Sequence, residues 1–113
     1  MMKQLNLSLA TSMVAAVLAG SVAPSVAVAD DPQNTPIPAF GSQCLSCHGE
    51  DGRPELADVP IIAGQQPIYL ANALRHYKSG ERTGGQALVM QEMVKNLSDE
   101  QIVALSQWFG AQQ

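Results

Sequence analysis

The sequence predicts a small all-α domain with long loops. Two stretches repeat apolar residues at helical spacing, and each carries its own start and stop signals. The segments between them are rich in glycine and proline. No run alternates apolar and polar residues for long enough to make a strand. Val59-Pro60-Ile61-Ile62 comes nearest, but it is short and contains a proline.

The chain opens on a segment of different character. Lys3 is the only charge before Asp30, and residues 5–20 are mostly apolar and small. Ala27-Val28-Ala29 then offers the A-x-A pattern that a signal peptidase accepts. A basic tip, an apolar middle and a small-residue site together predict an export signal over residues 1–29. An uncleaved anchor is the competing reading. Asn6, Ser8, Thr11 and Ser12 interrupt the apolar run, which is short for the about 20 residues of a membrane span.

Removing 29 of the 113 residues leaves 84. Domains near that size usually need a disulfide, a metal or a cofactor to complete their core. The chain has two cysteines, enough for one disulfide, and its aromatic residues are Phe40, Tyr69, Tyr77, Trp108 and Phe109. A further apolar group is therefore expected in the middle. Without Lys3 the chain carries five basic and ten acidic residues, a net charge of −5. That balance argues against binding nucleic acid, which wants a basic face. It permits steering toward a partner with a basic docking site, although plain solubility explains it equally well.

The elements follow in order. Residues 30–38 contain Pro32, Pro36 and Pro38 and read as an extended leader, with the domain proper over 39–113. A short helix is expected from about Ala39 into Cys44–Cys47. Residues 49–64, with Gly49, Gly52, Pro54, Pro60 and Gly64, form an ordered loop. Pro67 suits the first helical position and Gly80 the position just past the end, with Leu70, Leu74 and Tyr77 as the buried stripe between. Residues 81–87 are expected as a loop with Gly84-Gly85 at its tip. The last helix starts at a capping box, Ser98 with Gln101, and Leu97 and Ile102 are spaced as a hydrophobic staple. Ile102, Leu105 and Trp108 or Phe109 make its inward face. No internal repeat is present.

Chemistry concentrates in Cys44-Leu45-Ser46-Cys47-His48, the C-x-x-C-H pattern of c-type haem attachment. Two thiols two residues apart can reach the two vinyl groups on one porphyrin edge and form thioethers. The next residue, His48, is carried under the iron, where an imidazole nitrogen can bind it. Three other readings use the same residues. A redox dithiol belongs in a βαβ setting, and none is seen. A tetrahedral zinc site needs four ligands, so His76 would have to converge on the other three. A disulfide across two residues closes too short a loop to stabilise much.

His48-Gly49-Glu50-Asp51-Gly52 is followed by Pro60-Ile61-Ile62-Ala63-Gly64-Gln65, then Tyr69-Leu70 and Leu74. Lys78-Ser79-Gly80-Glu81-Arg82 comes next, and then a Met ahead of Leu97-Ser98-Asp99-Glu100. This succession resembles a bacterial class I cytochrome c. It is most similar to one half of the tandem two-haem periplasmic cytochromes, or to their small single-haem relatives. The resemblance covers residues 44–109 and implies three to four short helices wrapped around one covalently bound haem c.

The resemblance also implies roles. Cys44 and Cys47 would form the thioethers and His48 would be the proximal ligand. Pro60 matches the proline whose carbonyl accepts a hydrogen bond from that histidine, a contact that fixes the ring and raises its basicity. A methionine closes the other side. Met90 and Met93 are both candidates from the residues alone, since methionine is also a common gap-filler in cores. The family pattern places the ligand seven residues before Leu97, at Met90, and leaves Met93 to pack against the haem. From the residues themselves, Arg75, Lys78 and Arg82 cluster as a propionate partner, a docking patch or simply a solvated face, with Arg82 the candidate for a haem propionate. His76 reads as a surface residue.

The chain departs from the pattern at its start, where Pro36 and Pro38 leave little room for the family's longer first helix. Phe40 is the expected aromatic contact for Trp108 or Phe109. The resulting expectation is a periplasmic one-electron carrier with His/Met ligation, no open iron site and no enzymatic activity. Its partners would be a periplasmic dehydrogenase, an oxidase or another cytochrome. Two alternatives are a haem sensor or peroxidase-like protein with a labile distal Met, and a haem subunit of a larger periplasmic dehydrogenase.

Overall fold

The computed structural model describes residues 19–25, 27, 31 and 33–113. The expected signal segment falls mostly outside the described residues. No helix among the described residues is long and apolar enough to cross a membrane. These residues form helices and no strand.

A 3₁₀ helix over Ala39–Cys44 runs straight into a single α-turn, α1, over Leu45–His48. Helix α2 spans Pro67–Ser79, α3 spans Ala87–Val94 and α4 spans Asp99–Ala111. The boundaries follow the sequence signals closely. Pro67 occupies the first turn of α2, and Gly80 ends it at φ 79° with its N–H on the carbonyl of Tyr77. The α4 capping box is complete: Ser98 Oγ accepts from the Gln101 N–H, and the Gln101 side chain accepts from the Ser98 N–H. Leu97 and Ile102, the staple pair, are both buried. Helix α3 is an element to which the sequence signals assign no bounds, and it takes Ala87 from the expected 81–87 loop. Ala87 begins α3 rather than ending that loop, because its small side chain is 5 % exposed against the rest of the fold.

Helix α2 is the hub and packs on both α4 and α3. The core is a single cluster of Ala71, Val94, Leu97, Ile102 and Leu105, with Ile37, Leu74, Tyr77 and Met90 partly buried against it. Arg75 on α2 makes a two-pronged bond to Asp99 on α4, at 2.6 and 2.8 Å, and so clips the two helices at the surface. The guanidinium holds the Asp99 carboxyl below the usual carboxylate range. Lys78 reaches the carbonyl of Leu97 and ties the end of α2 to the α3–α4 connection.

The leader docks on α4. Trp108 Nε1 donates to the Thr35 carbonyl at 2.7 Å, and Gln33 Nε2 donates to the Ala111 carbonyl at 3.2 Å. The expected role of Phe40 is corrected. The ring contact among the described residues is Trp108 against Phe109, edge to face at 4.9 Å, while Phe40 stays 37 % exposed. Trp108 instead spends its indole N–H on the leader. The 3₁₀ helix meets α4 through Gly41, where a Cβ would lie 2.2 Å from Leu105 Cδ2 and 3.1 Å from Ile37 Cδ1.

Leu105 is itself 2 % exposed and has little space to yield. Gly41→Ala is therefore expected to destabilise the holoprotein by about 1–3 kcal/mol through overpacking. Chemical denaturation measures it; an unchanged midpoint would mean that the 3₁₀ helix does not sit against α4.

Candidate functional site

The motif Cys44–His48 occupies the junction of the 3₁₀ helix and α1. Cys44 is half-buried and Cys47 exposed, and both are free thiols. Burial pushes the Cys44 thiol up, with the neighbouring Cys47 adding to the rise and a backbone hydrogen bond opposing it. A redox dithiol needs the opposite, a thiol lowered toward thiolate. His76 does not converge on the cysteines. It faces outward toward Glu81 at 3.8 Å, and among the described residues no three His, Cys, Asp or Glu side chains gather as a metal cluster. The zinc reading therefore lacks its geometry, and the dithiol reading lacks its βαβ setting among the described residues, which form no strand.

His48 is 8 % exposed, and its Nδ1 lies 3.1 Å from the carbonyl oxygen of Pro60. With Nδ1 donating there, Nε2 keeps its lone pair. Burial lowers the His48 pKa, and the Pro60 bond raises it again in part. The ring thus favours the neutral form, the one that can bind a metal.

The loop that supplies Pro60 is pinned at Gly52. The Gly52 carbonyl accepts from the N–H groups of Ile62 and Ala63 at 2.9 and 3.1 Å. Gly64 N–H reaches the Phe109 carbonyl at 3.1 Å, so the loop is anchored on α4. Gly52 has φ 82°, and a Cβ there would meet Ala63 N at 2.9 Å and Phe109 Cδ1 at 3.0 Å. A side chain is excluded both by backbone conformation and by space.

Met90 lies on α3, partly buried against the core cluster. Ala87, Met90 and Val94 fall at i, i+3 and i+7, the stripe that α3 turns inward. Met93 is 41 % exposed, so protein contacts alone do not make it a core residue. Arg82 is exposed, with its guanidinium 4.9 Å from the centre of the Tyr77 ring. Stacking uses the face of a guanidinium and leaves its N–H edge available.

The donor set fits a covalently held porphyrin. It offers two free thiols, a neutral buried imidazole with one nitrogen committed, and a methionine on a separate helix. Two apolar residues adjacent in sequence to Pro60 and Met90 are only half covered by the protein: Ile61 is 54 % and Val89 49 % exposed. Half-exposed apolar groups flanking the residues of the motif and of Met90 are suited to covering an apolar cofactor.

A family model described as cytochrome c matches residues 38–110. The chain belongs to the cytochrome c family. Its cofactor is haem c, covalently attached, and Cys44 and Cys47 fit the family's attachment motif. This cytochrome is 36 % identical over 70 residues to cytochrome c-554(548) of Halomonas halodenitrificans, covering 62 % of the chain and 84 % of that protein. It is 34 % identical over 74 residues to cytochrome c4 of Pseudomonas aeruginosa, covering 66 % of the chain but 35 % of that protein. It is 29 % identical over 69 residues to the thiosulfate dehydrogenase electron acceptor of Thiomonas intermedia, covering 61 % of the chain and 32 % of that protein. The chain thus spans about a third of the longer relatives.

Two contacts around the site carry no sequence signal. Gln43 Nε2 donates to the Met93 carbonyl at 3.1 Å across 50 residues, and Gln91 Nε2 donates to the Arg82 carbonyl at 3.0 Å. Neither glutamine sits at a capping or motif position that would announce a partner.

Gly52→Ala should shift the loop that presents the Pro60 carbonyl. The expected result is a loss of about 1–3 kcal/mol in stability, from strain and close contact, together with a moved or broadened His48 Nδ1 proton resonance. A stability loss with that resonance unmoved would separate Gly52 from the histidine.

Proposed function

We propose that this cytochrome is an exported one-electron carrier of the periplasm, in which His48 and Met90 bind the haem iron from opposite sides. In this reading residues 1–29 are the export signal, 30–38 the leader and 39–113 the haem domain. The observation that carries it is the His48 arrangement: a buried imidazole with Nδ1 3.1 Å from the Pro60 carbonyl, which would leave Nε2 to meet iron.

Haem c supplies the one-electron exchange between Fe(II) and Fe(III). Cys44 and Cys47 would hold it through thioethers, so that the carrier cannot lose it outside the cytoplasm. The Pro60 carbonyl orients the His48 ring and raises its basicity. The Met90 thioether, a soft donor, would favour Fe(II) and raise the reduction potential. Two protein ligands leave no iron position for a substrate, which accords with a carrier rather than an enzyme. Ile61, Val89 and Met93 would exclude water from the site. The free N–H edge of Arg82 is suited to a haem propionate.

The partner is a redox protein met in a small, transient contact. The similarity to the thiosulfate dehydrogenase electron acceptor of Thiomonas intermedia supports a dehydrogenase as electron donor here. An oxidase or a second cytochrome is suited to the accepting side.

Cys47→Ala should lose covalent haem or keep a single thioether, and fold poorly. A variant as coloured and as folded as the parent would overturn the attachment. Met90→Ala should lower the reduction potential and open the iron to added ligands, whereas Met93→Ala should mainly cost packing stability. The reverse pattern would move the ligand role to Met93.

A further inference from the structure

Helix α3, the short helix that carries Met90, packs on α2. It is eight residues long and has no side-chain cap at its N-terminus. Only Ala87 and Val94 are fully buried, with Met90 partly buried against the core and Leu88 75 % exposed. Its packing is against α2, and it shares no extended contact with the attachment segment 39–48. The two segments that carry the haem-site donors are therefore joined weakly by packing.

One bond crosses between them. Gln43 immediately precedes Cys44, and its Nε2 donates to the Met93 carbonyl at 3.1 Å. That carbonyl belongs to the last turn of α3, where four carbonyls lack a partner within the helix. Among the described residues it is the one side-chain hydrogen bond between segment 39–48 and α3. Gln43 thus caps the end of α3 and fastens it beside the first cysteine.

We infer that Gln43 is a positioning residue: it latches the Met90 helix to the haem-attachment segment and so sets how readily that helix leaves the haem. The latch holds the helix by its backbone. It acts whichever side chain of α3 meets the iron, and only its effect on ligand release rests on the reading of Met90. Removing a donor of this kind shifts a local opening equilibrium about two- to tenfold. Gln43→Glu keeps the length and removes the N–H, placing one oxygen against another. Gln43→Ala removes the contact altogether.

The test uses the intact haem-loaded protein. Amide hydrogen exchange is followed in the reduced form for parent, Gln43→Ala, Gln43→Glu and Ser42→Ala. The last removes the Ser42 Oγ bond to the Ala39 carbonyl in the same 3₁₀ helix without touching α3. Exchange over residues 90–94 is expected to rise about two- to tenfold in both Gln43 variants, with α2 and α4 unchanged and Ser42→Ala like the parent. In the oxidised form, imidazole should displace the methionine at correspondingly lower concentration, read from the sulfur-to-Fe(III) absorption band. Unchanged exchange in the Gln43 variants, or an equal rise in Ser42→Ala or across the whole chain, would overturn the latch. A parent without the sulfur band would overturn methionine ligation instead, while the exchange result still decides the latch.

Discussion

The contact on which the site depends is the hydrogen bond between His48 Nδ1 and the Pro60 carbonyl. His48 ends α1 within a helical segment of only ten residues, and Gly49 at φ 80° turns the chain away directly after it. Nothing in so short a segment fixes an imidazole ring. The loop does so from outside. Pro60 is placed by the doubled bond to the Gly52 carbonyl, and the Gly64 bond seats the loop on α4 next to Phe109. Ring orientation in the attachment segment is thus referred, step by step, to the buried face of the C-terminal helix. With Nδ1 donating, the same bond favours the tautomer whose Nε2 is free, the nitrogen that meets iron in the proposed reading.

The core explains why the chain needs its cofactor. Five fully buried residues and four partly buried ones form the only cluster among the described residues, and two of the five cluster residues lie on α4. Ile61, Val89 and Met93 lie outside that cluster and are about half exposed in the protein alone. A porphyrin supplies the apolar area that these side chains lack. The fold and the carrier function are therefore one problem in a domain of this size.

Much of this was legible in the sequence where local rules dominate. Pro67 and Gly80 bounded α2, and Ser98 with Gln101 started α4, because caps and turns depend on neighbours a few residues away. The C-x-x-C-H motif marked the site for the same reason. Long-range choices were less legible. Phe40 is the expected partner of Trp108 or Phe109, yet Trp108 donates to Thr35 and meets Phe109 edge to face. Arg82 offered a charge, but that it lies over Tyr77 depends on how the 80–86 loop folds back on α2. Gln43 gave no sign of Met93, because a hydrogen bond across 50 residues leaves no periodicity to read.

Function places opposing demands on α3. A carrier gains from a closed iron site, yet its distal helix buries little and is tied mainly at its ends. The central claim, that two residues of this chain close the iron from both sides, is tested most directly by one spectrum. The reduced holoprotein, produced in the periplasm of a host with haem-attachment machinery, is mixed with carbon monoxide. An unchanged low-spin spectrum is the result this account requires. Ready binding of carbon monoxide would mean an open iron, and with it a sensor or peroxidase-like protein rather than a carrier.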